Sequence, residues 1–203
     1  SRFDIGWNPG DRWEHREAWG LPSVKNPATG KPRKVWLPAG LVIPSRTENG
    51  IQGIKIRRSA WHPGELFPDG RPTPKYSAVS GSVSGLLLVT DRALPVVIME
   101  SELDAILAFQ EAGDLVGVCA TGSAAAKPDA QAATLLQASP AVLFAMDHDE
   151  AGKEAWPWWR DHFQALPCPV PDGKDVGDLA GTPGLIRYWI EVVLALWNQE
   201  QVA

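Results

Sequence analysis

The chain has 203 residues, and its 44% content of hydrophobic residues is enough for an ordinary packed core in one or two domains. A formal net charge of −5 excludes a uniformly basic coat for nucleic acid, and no apolar run is long enough to cross a membrane. Cys119 and Cys168 have no Cys or His at zinc-ligand spacing, which argues against a zinc site and implies no disulfide. We therefore expect a soluble, cytoplasmic protein, and the start without Met suggests a piece of a longer one.

Positive charge is concentrated in the first part of the sequence. Residues 25–58 contain eight Lys or Arg residues and a single acid, Glu48, whereas the acids are concentrated after residue 90. A basic part followed by an acidic part suits a polyanion that is held over a cation site. The alternative is that the charges solvate two unrelated surfaces, and the charge pattern alone leaves both interpretations open.

The first half of the chain is rich in Gly, Pro and short apolar runs, which predict a mainly antiparallel, β-rich subdomain. The predicted strands are 34–38, 40–44, 51–58 and 84–90. The alternation of apolar and polar residues in 51–58 is typical of a half-buried strand, and Asn49-Gly50 predicts a hairpin turn before it. Four prolines in 62–74 predict a loop.

From residue 95 onward, predicted strands and helices alternate. The strands are 96–100, 115–120 and 141–147, and the helices are about 102–112, 128–138 and 150–165. This order predicts right-handed crossovers and a parallel sheet. Three prolines in 167–171 restrict that segment to an edge strand or an extended connector. Thr182-Pro183 then predicts the start of a helix that runs to about residue 200.

Acidic residues follow two of the predicted parallel strands, and a further pair lies near the end of the alternating region. They are Glu100 and Asp104, Asp147 and Asp149, and Asp175 and Asp178. Because ligands bind outside the carboxyl ends of the strands in open parallel sheets, we expect these groups at one edge. Clustered carboxylates repel one another, and a hard divalent cation with oxygen ligands removes that repulsion.

Residues 95–180 resemble the Toprim domain, the metal-binding catalytic domain of DnaG-type primases, phage primase-helicases, topoisomerases and related nucleases. The first motif is the Glu with an Asp four positions later in 96–105, and the second is the small-residue turn in 120–124. The third is Asp-x-Asp followed by Ala-Gly in 145–155, and the fourth is Gly-Lys-Asp leading to a second acid in 171–178.

The first half narrows the resemblance to primases. Segments 40–44 and 51–58, together with Lys75-Tyr76, look like the N-terminal subdomain of the primase RNA polymerase domain, which topoisomerases do not carry. There are two departures from the family pattern. Asp178 lies one position later than the second acid of cellular primases, as mobile-element enzymes often have it, and the lysine expected between residues 77 and 95 is missing.

The resemblance implies an α/β fold in which a Toprim-type parallel sheet with flanking helices occupies 95–181. A basic, β-rich α+β subdomain at 1–94 precedes it. A C-terminal helix at 182–203 follows, as the start of a truncated or adjoining helical part.

The resemblance also implies a function, the catalytic core of a DNA primase. This nucleotidyltransferase would make RNA primers on single-stranded DNA from ribonucleoside triphosphates, with Mg²⁺ or Mn²⁺, two ions in all. A replicative helicase or helicase domain would be a partner, and no membrane would be involved. The residues implied to bind nucleic acid or nucleotide are Lys55, Arg57, Arg58, Lys75, Tyr76 and Lys174. Because Arg57 and Arg58 are adjacent on a strand, at most one enters the groove.

The acids receive separate roles from the same resemblance. Asp147, Asp149 and Asp175 are the expected metal ligands, and Asp178 is a less secure one. Glu100 is either a further ligand or the general base. Asp104 either supports the ligands from behind or merely interacts favourably with the helix dipole. All six lie in the predicted catalytic half.

Three alternatives stay open at the level of sequence. A Toprim nuclease uses the same metal chemistry to cleave phosphodiesters, and a non-catalytic remnant of a mobile-element protein would only bind nucleic acid. Asp149 alone could be no more than the N-cap of the helix at 150. The ten tryptophans invite a base-stacking role, but packing is the better default for most of them.

Overall fold

The structure is a computed structural model that describes residues 3–47, 50–83 and 85–202. The chain divides into two compact units, Ser1–Ser84 and Gly85–Ala203. The sequence interpretation put this division ten residues later, between 94 and 95. The difference arises because the predicted strand at 84–90 is found at Leu87–Val89 and pairs within the second unit.

The first unit contains two small antiparallel sheets. The four-stranded sheet has the order β1-β4-β5-β6, and the two-stranded sheet pairs β2 with β3. The strands are β1 Gly6–Asn8, β2 Arg12–His15, β3 Lys34–Leu37, β4 Gly40–Thr47, β5 Gly50–Arg58 and β6 Tyr76–Ala78, with a 3₁₀ helix at Arg16–Trp19. The core of this unit comes from alternate strand positions, among them Val35, Leu37 and Ile56. The predicted antiparallel, β-rich character is thereby confirmed.

The longest strand pairing among the described residues of the first unit is the hairpin that the sequence predicted. β4 and β5 pair antiparallel from Gly40 opposite Arg58 to Thr47 opposite Gly50. The turn itself was predicted at Asn49-Gly50, and Asn49 lies outside the described residues. The bulge between Ser45 and Arg46 shifts the register by one residue near the turn.

The second unit is built on one five-stranded sheet with the order β11-β10-β8-β9-β7. Its strands are β7 Leu87–Val89, β8 Val96–Met99, β9 Gly117–Ala120, β10 Val142–Phe144 and β11 Leu166–Pro167. β8 to β11 are parallel, as predicted, whereas β7 runs antiparallel to β9 at one edge. The proline-bearing segment after residue 165 forms the opposite edge, as its composition required.

Helices cover both faces of this sheet: α1 Glu102–Ala112, α2 Ala130–Gln137, α3 Glu150–Phe163 and α4 Leu185–Val202. All four residues of β8 are buried, and they alternate between the two faces. Val97 and Met99 belong to the core shared with α1 and α4. Val96 and Ile98 belong to the core shared with α2 and α3. This burial on both faces explains why β8 is an uninterrupted apolar run.

Two details differ from the predicted elements at the end of the chain. A 3₁₀ helix occupies Val176–Gly181, a segment for which the sequence predicted no element, and Thr182 ends that helix. Helix α4 therefore begins at Leu185, three residues after the predicted start, and Thr182 is not its N-cap. Across the described ranges, no helix is long and apolar enough to span a membrane.

Candidate active site

Three carboxylates meet at the carboxyl edge of the parallel sheet. Oxygens of Asp104, Asp147 and Asp175 all lie within 4.8 Å of one another. Asp104 is on the first turn of α1, just after β8. Asp147 follows β10, and Asp175 is the N-cap of the 3₁₀ helix. Two acids reach the cluster from the ends of neighbouring strands, because β8 and β10 are paired in parallel.

The Asp104 side chain is fixed by the start of its own helix. Ser101 is the N-cap of α1 and accepts the Asp104 backbone N–H at 3.2 Å, while its hydroxyl donates to Asp104 Oδ2 at 2.8 Å. Asp104 is only 8% exposed. Burial raises the pKa of this carboxyl to about 6, and the charges of Asp175 and Asp147 act in the same direction. The metal-free cluster is therefore electrostatically costly.

Lys174 places its ammonium between two of the acids. Its Nζ lies 2.9 Å from Asp147 Oδ2 and 3.1 Å from Asp149 Oδ2. The backbone of the same residue is tied in place, because its carbonyl oxygen accepts the His148 N–H at 3.0 Å. The two carboxylates raise the pKa of Lys174. This ammonium thus stands where positive charge is needed beside Asp147.

Asp149 has two partners that account for its position. It is the N-cap of α3 and accepts the Gly152 N–H at 3.1 Å. That hydrogen bond, followed by the contact with Lys174, lowers the pKa of Asp149. The capping role, left open by the sequence, is therefore present, and the ion pair shows that Asp149 also takes part in the electrostatics of the acidic group.

Asp178 shapes the loop rather than joining the three-carboxylate cluster. Its Oδ2 accepts the Lys174 backbone N–H at 2.7 Å, and its own N–H donates to Asp175 Oδ1 at 3.2 Å. Gly173 has a φ of +78°, and a Cβ there would meet the Asp178 side chain. The loop conformation that aims Asp175 thus requires a glycine at this position.

Glu100 lies directly after β8, and its side chain is partly buried. Burial raises the pKa of this carboxyl, and the negative charges of Asp147 and Asp149 raise it further. Glu100 therefore senses both members of the Asp-x-Asp motif. It is not one of the three acids whose oxygens converge within 4.8 Å.

The predicted and observed acidic groups overlap without being identical. Asp147 and Asp175, predicted as ligands, are in the cluster, and Asp104 occupies the third place although the sequence interpretation gave it a supporting role. A sequence signal for this existed. Ser101 and Asp104 are spaced as a capping box, which anchors the Asp104 side chain at the mouth of the helix.

The predicted nucleic-acid-binding residues of the first unit fall into two groups. Lys55 Nζ and Lys75 Nζ lie 6.0 Å and 5.9 Å from the centre of the Tyr76 ring, and Arg57 is paired with Tyr76 across β5 and β6. Three cationic residues therefore lie around one aromatic ring. Lys55 and Arg57 are alternate residues of β5 and lie on the same face of the sheet.

Arg58 is different, because it is committed to an ion pair. Its guanidinium donates to both carboxylate oxygens of Glu65, at 3.0 and 2.9 Å, and lies 5.5 Å from the Trp36 ring centre. The Arg58 side chain is 12% exposed. The expectation that adjacent arginines face opposite ways agrees with this arrangement, since Arg57 is exposed. Only Arg57 of the two is available to a phosphate.

Comparison with known proteins extends these observations. Residues 97–179 match the family model described as Toprim-like, and no curated protein matches the chain. A DNA primase domain from Pseudomonas aeruginosa is similar at 21% identity with a TM-score of 0.61, covering 94% of this chain and 65% of that one. The RNA polymerase domain of Mycobacterium tuberculosis primase DnaG is similar at 20% identity with a TM-score of 0.59, covering 94% and 70%. An Aquifex aeolicus primase structure with zinc-binding and RNA polymerase domains is similar at 18% identity with a TM-score of 0.58, covering 94% and 51%. The chain thus spans from about half to 70% of the length of these structures.

Proposed function

We propose that this chain, which carries a Toprim-like domain and has the fold of bacterial primase catalytic cores, makes RNA primers on single-stranded DNA by metal-dependent nucleotidyl transfer. The observation that carries the proposal is the convergence of Asp104, Asp147 and Asp175 within 4.8 Å. Similar folds host many activities, so the activity depends on these side chains and their chemistry.

The donor set of this cluster fits Mg²⁺ or Mn²⁺. Both ions prefer carboxylate oxygens, and three such oxygens from separate segments supply them. Glu100 interacts electrostatically with Asp147 of the cluster and with Asp149. Glu100 and Asp149 are the residues that would help to hold a second ion. When bound, the ions supply charge neutralisation at the phosphates and acidify a coordinated hydroxyl.

Two further residues of the second unit act on protons and phosphates in this proposal. Burial and the charges of Asp147 and Asp149 raise the pKa of Glu100, which makes its carboxylate a stronger base than an ordinary Glu and suits it to accept the proton of a primer 3′-hydroxyl. Lys174 neutralises Asp147 and Asp149 in the metal-free protein. Once cations take over that task, its ammonium becomes available for the phosphates of a nucleotide.

The first unit contributes positive charge of its own. Lys55, Arg57 and Lys75 surround Tyr76, and we assign them to phosphates of the DNA or of the incoming ribonucleotide. We leave Arg58 out of this group because Glu65 already binds its guanidinium in a bidentate pair. The association with a replicative helicase or helicase domain stays a prediction from the resemblance.

The decisive test is primer synthesis on a single-stranded DNA with Mg²⁺ or Mn²⁺ and ribonucleotides. Wild type should extend primers, and Asp147→Ala should lose at least about a hundredfold in rate, because several kcal/mol of charge stabilisation is removed. Glu150→Ala is the matched control, since Glu150 is an exposed acid close by in sequence. Its activity should stay within about twofold of wild type.

Each other outcome would point to a different function. Cleavage of DNA without synthesis would favour a Toprim nuclease. Metal binding without turnover by either route would favour a non-catalytic nucleic-acid-binding protein. Equal rates for wild type and Asp147→Ala would remove the acidic cluster from the reaction.

A further inference from the structure

The two-stranded sheet of the first unit carries a stack of aromatic rings that the proposed catalysis does not use. Trp13 on β2 is paired with Trp36 on β3, and their ring centres are 6.0 Å apart with the planes inclined by 23°. Phe67 packs edge-on against Trp36 at 5.7 Å. Trp13 ends the stack and is 61% exposed. The Trp13 indole is therefore stacked on Trp36 and exposed to solvent.

A basic hairpin lies next to this ring. Segment 24–37 contains four cations, Lys25, Lys31, Arg33 and Lys34, and no acid. The hairpin is ordered by backbone hydrogen bonds: the Asn26 N–H donates to the Lys31 carbonyl at 2.8 Å and the Arg33 N–H to the Val24 carbonyl at 2.7 Å. Within the described part of the chain, no ion pair involves Lys31, Arg33 or Lys34. Their charge is uncompensated.

Two acids, Asp11 just before β2 and Glu14 on β2, do not pair with these cations. Asp11 accepts the Ala39 N–H at 2.7 Å and also contacts the Trp36 indole N–H at 3.4 Å. Glu14 accepts the Trp19 indole N–H at 2.9 Å. Glu14 also pairs with Arg12 at 3.7 Å, and among the described residues neither carboxylate forms an ion pair with a cation of the hairpin.

Trp13 and the basic hairpin together line an open cleft. Its volume is about 420 Å³, and its walls include Trp13, Lys31, Arg33 and Lys34. This volume lies in the range of small-ligand sites. The cleft therefore combines a flat aromatic surface, three unpaired cations and room for a nucleotide-sized group.

We propose that this cleft binds unpaired nucleotides of a single-stranded nucleic acid. A base stacks on the free face of Trp13, and the three cations hold the flanking phosphates. Every base has a π-face, so such stacking tolerates any sequence. A duplex keeps its base faces covered, and the Asp and Glu side chains of an acidic peptide match the charge but have no ring that could stack on Trp13. The inference extends beyond the proposed catalysis and does not depend on it, because binding here needs no metal.

The test is fluorescence anisotropy with a labelled thymidine oligonucleotide of about 15 nucleotides, in EDTA and without nucleotides. Trp13→Ala should weaken binding about tenfold, and Trp13→Phe should restore most of the affinity because it keeps a ring. Trp7→Ala is the matched control, since Trp7 is also 61% exposed in the same unit. An abasic oligonucleotide of equal length carries the same charge without bases, so Trp13→Ala should leave its affinity unchanged.

The cations are tested separately. The triple Ala variant of Lys31, Arg33 and Lys34 should weaken both oligonucleotides and lower the slope of log affinity against log salt by about 2. A uridine oligonucleotide measured beside the thymidine one distinguishes an RNA-preferring from a DNA-preferring site. Unfolding midpoints equal to wild type establish that the variants are folded.

Three results would overturn the proposal. They are an unchanged affinity in Trp13→Ala, an equal loss in Trp7→Ala, and an equal loss of affinity for the abasic strand. Displacement of the oligonucleotide by an acidic peptide of equal charge, with the same Trp13 dependence, would assign the cleft to a protein partner instead. Because all binding is measured in EDTA, failure of primer synthesis leaves this result untouched, and the reverse also holds.

Discussion

Replacing Asp104 by Asn tests two effects of its charge: the loss of folding stability in the metal-free protein and the binding of a divalent cation. In the metal-free protein, burial holds the pKa of Asp104 at about 6, against 3.8 for an ordinary Asp. The folded state therefore binds the proton more tightly than the unfolded state does. The protonated Asp104 carboxyl therefore contributes to the stability of the folded state. This contribution is fully present below about pH 4 and is lost as the pH rises through 6. The loss amounts to about 3 kcal/mol at pH 8.

Asn has nearly the same shape as Asp and no charge, so it removes most of this loss. We expect Asp104→Asn to raise the free energy of unfolding by about 1–3 kcal/mol at pH 8 in EDTA, and to change it little near pH 4. Urea unfolding at the two pH values measures both quantities. Glu111→Gln, which changes an exposed acid on the same helix, should stay within about 0.5 kcal/mol of wild type at both.

Addition of Mn²⁺ should reverse the order of the two proteins. The ion stabilises wild type by binding the folded state, and Asp104→Asn should gain much less because one carboxylate ligand is gone. Below about pH 6, protons compete for the Asp104 carboxyl, so the Mn²⁺ affinity of wild type should fall by up to about tenfold per pH unit. If Asp104→Asn were destabilised in EDTA at pH 8, or if Mn²⁺ stabilised both proteins equally, the reasoning would be refuted.

Two further variants test the neighbours of the cluster. Lys174→Met removes the ammonium that competes with a metal ion for Asp147 and Asp149, so this variant should bind Mn²⁺ about fivefold tighter by calorimetry. Lys153→Met is the control and should bind Mn²⁺ like wild type. Weaker binding by Lys174→Met would show that Lys174 helps to assemble the site. Gly152→Ala should lose about 2 kcal/mol in urea unfolding and also bind Mn²⁺ more weakly, because its Cβ would collide with the Asp147 carbonyl oxygen. Gly181→Ala, where the added Cβ meets nothing, is its control, and equal losses in both would contradict the argument.

The second unit was predictable because its strands are buried on both faces. Continuous apolar runs such as Val96–Met99 can only be central strands or core helices, and their short length decides for strands. The strands β1, β2 and β6 were missed for the opposite reason. Their sequences, such as Arg-Trp-Glu-His in Arg12–His15, are short and largely polar, and only pairing with β3 makes that segment a strand.

The candidate site was predictable in its location more than in its membership. Acids that follow neighbouring parallel strands were expected at one edge of the sheet, and Asp147, after β10, lies there together with Asp175 from the later loop. Asp104 differs because its inclusion depends on the rotamer that Ser101 imposes by a hydrogen bond. Arg58 differs because its partner Glu65 lies in a proline-rich loop whose path no local pattern specifies.

The antiparallel strand β7 has a practical consequence for dissecting this protein. The family match begins at residue 97 and ends at 179, yet β7 pairs with β9 before that stretch and Trp189 and Ile190 fill the core after it. A fragment cut to residues 97–179 would leave the backbone amides and carbonyls along one edge of β9 unpaired. It would also expose the apolar surface that α4 covers. Such a piece should aggregate, whereas one that spans Gly85 to the end of α4 keeps both coverings.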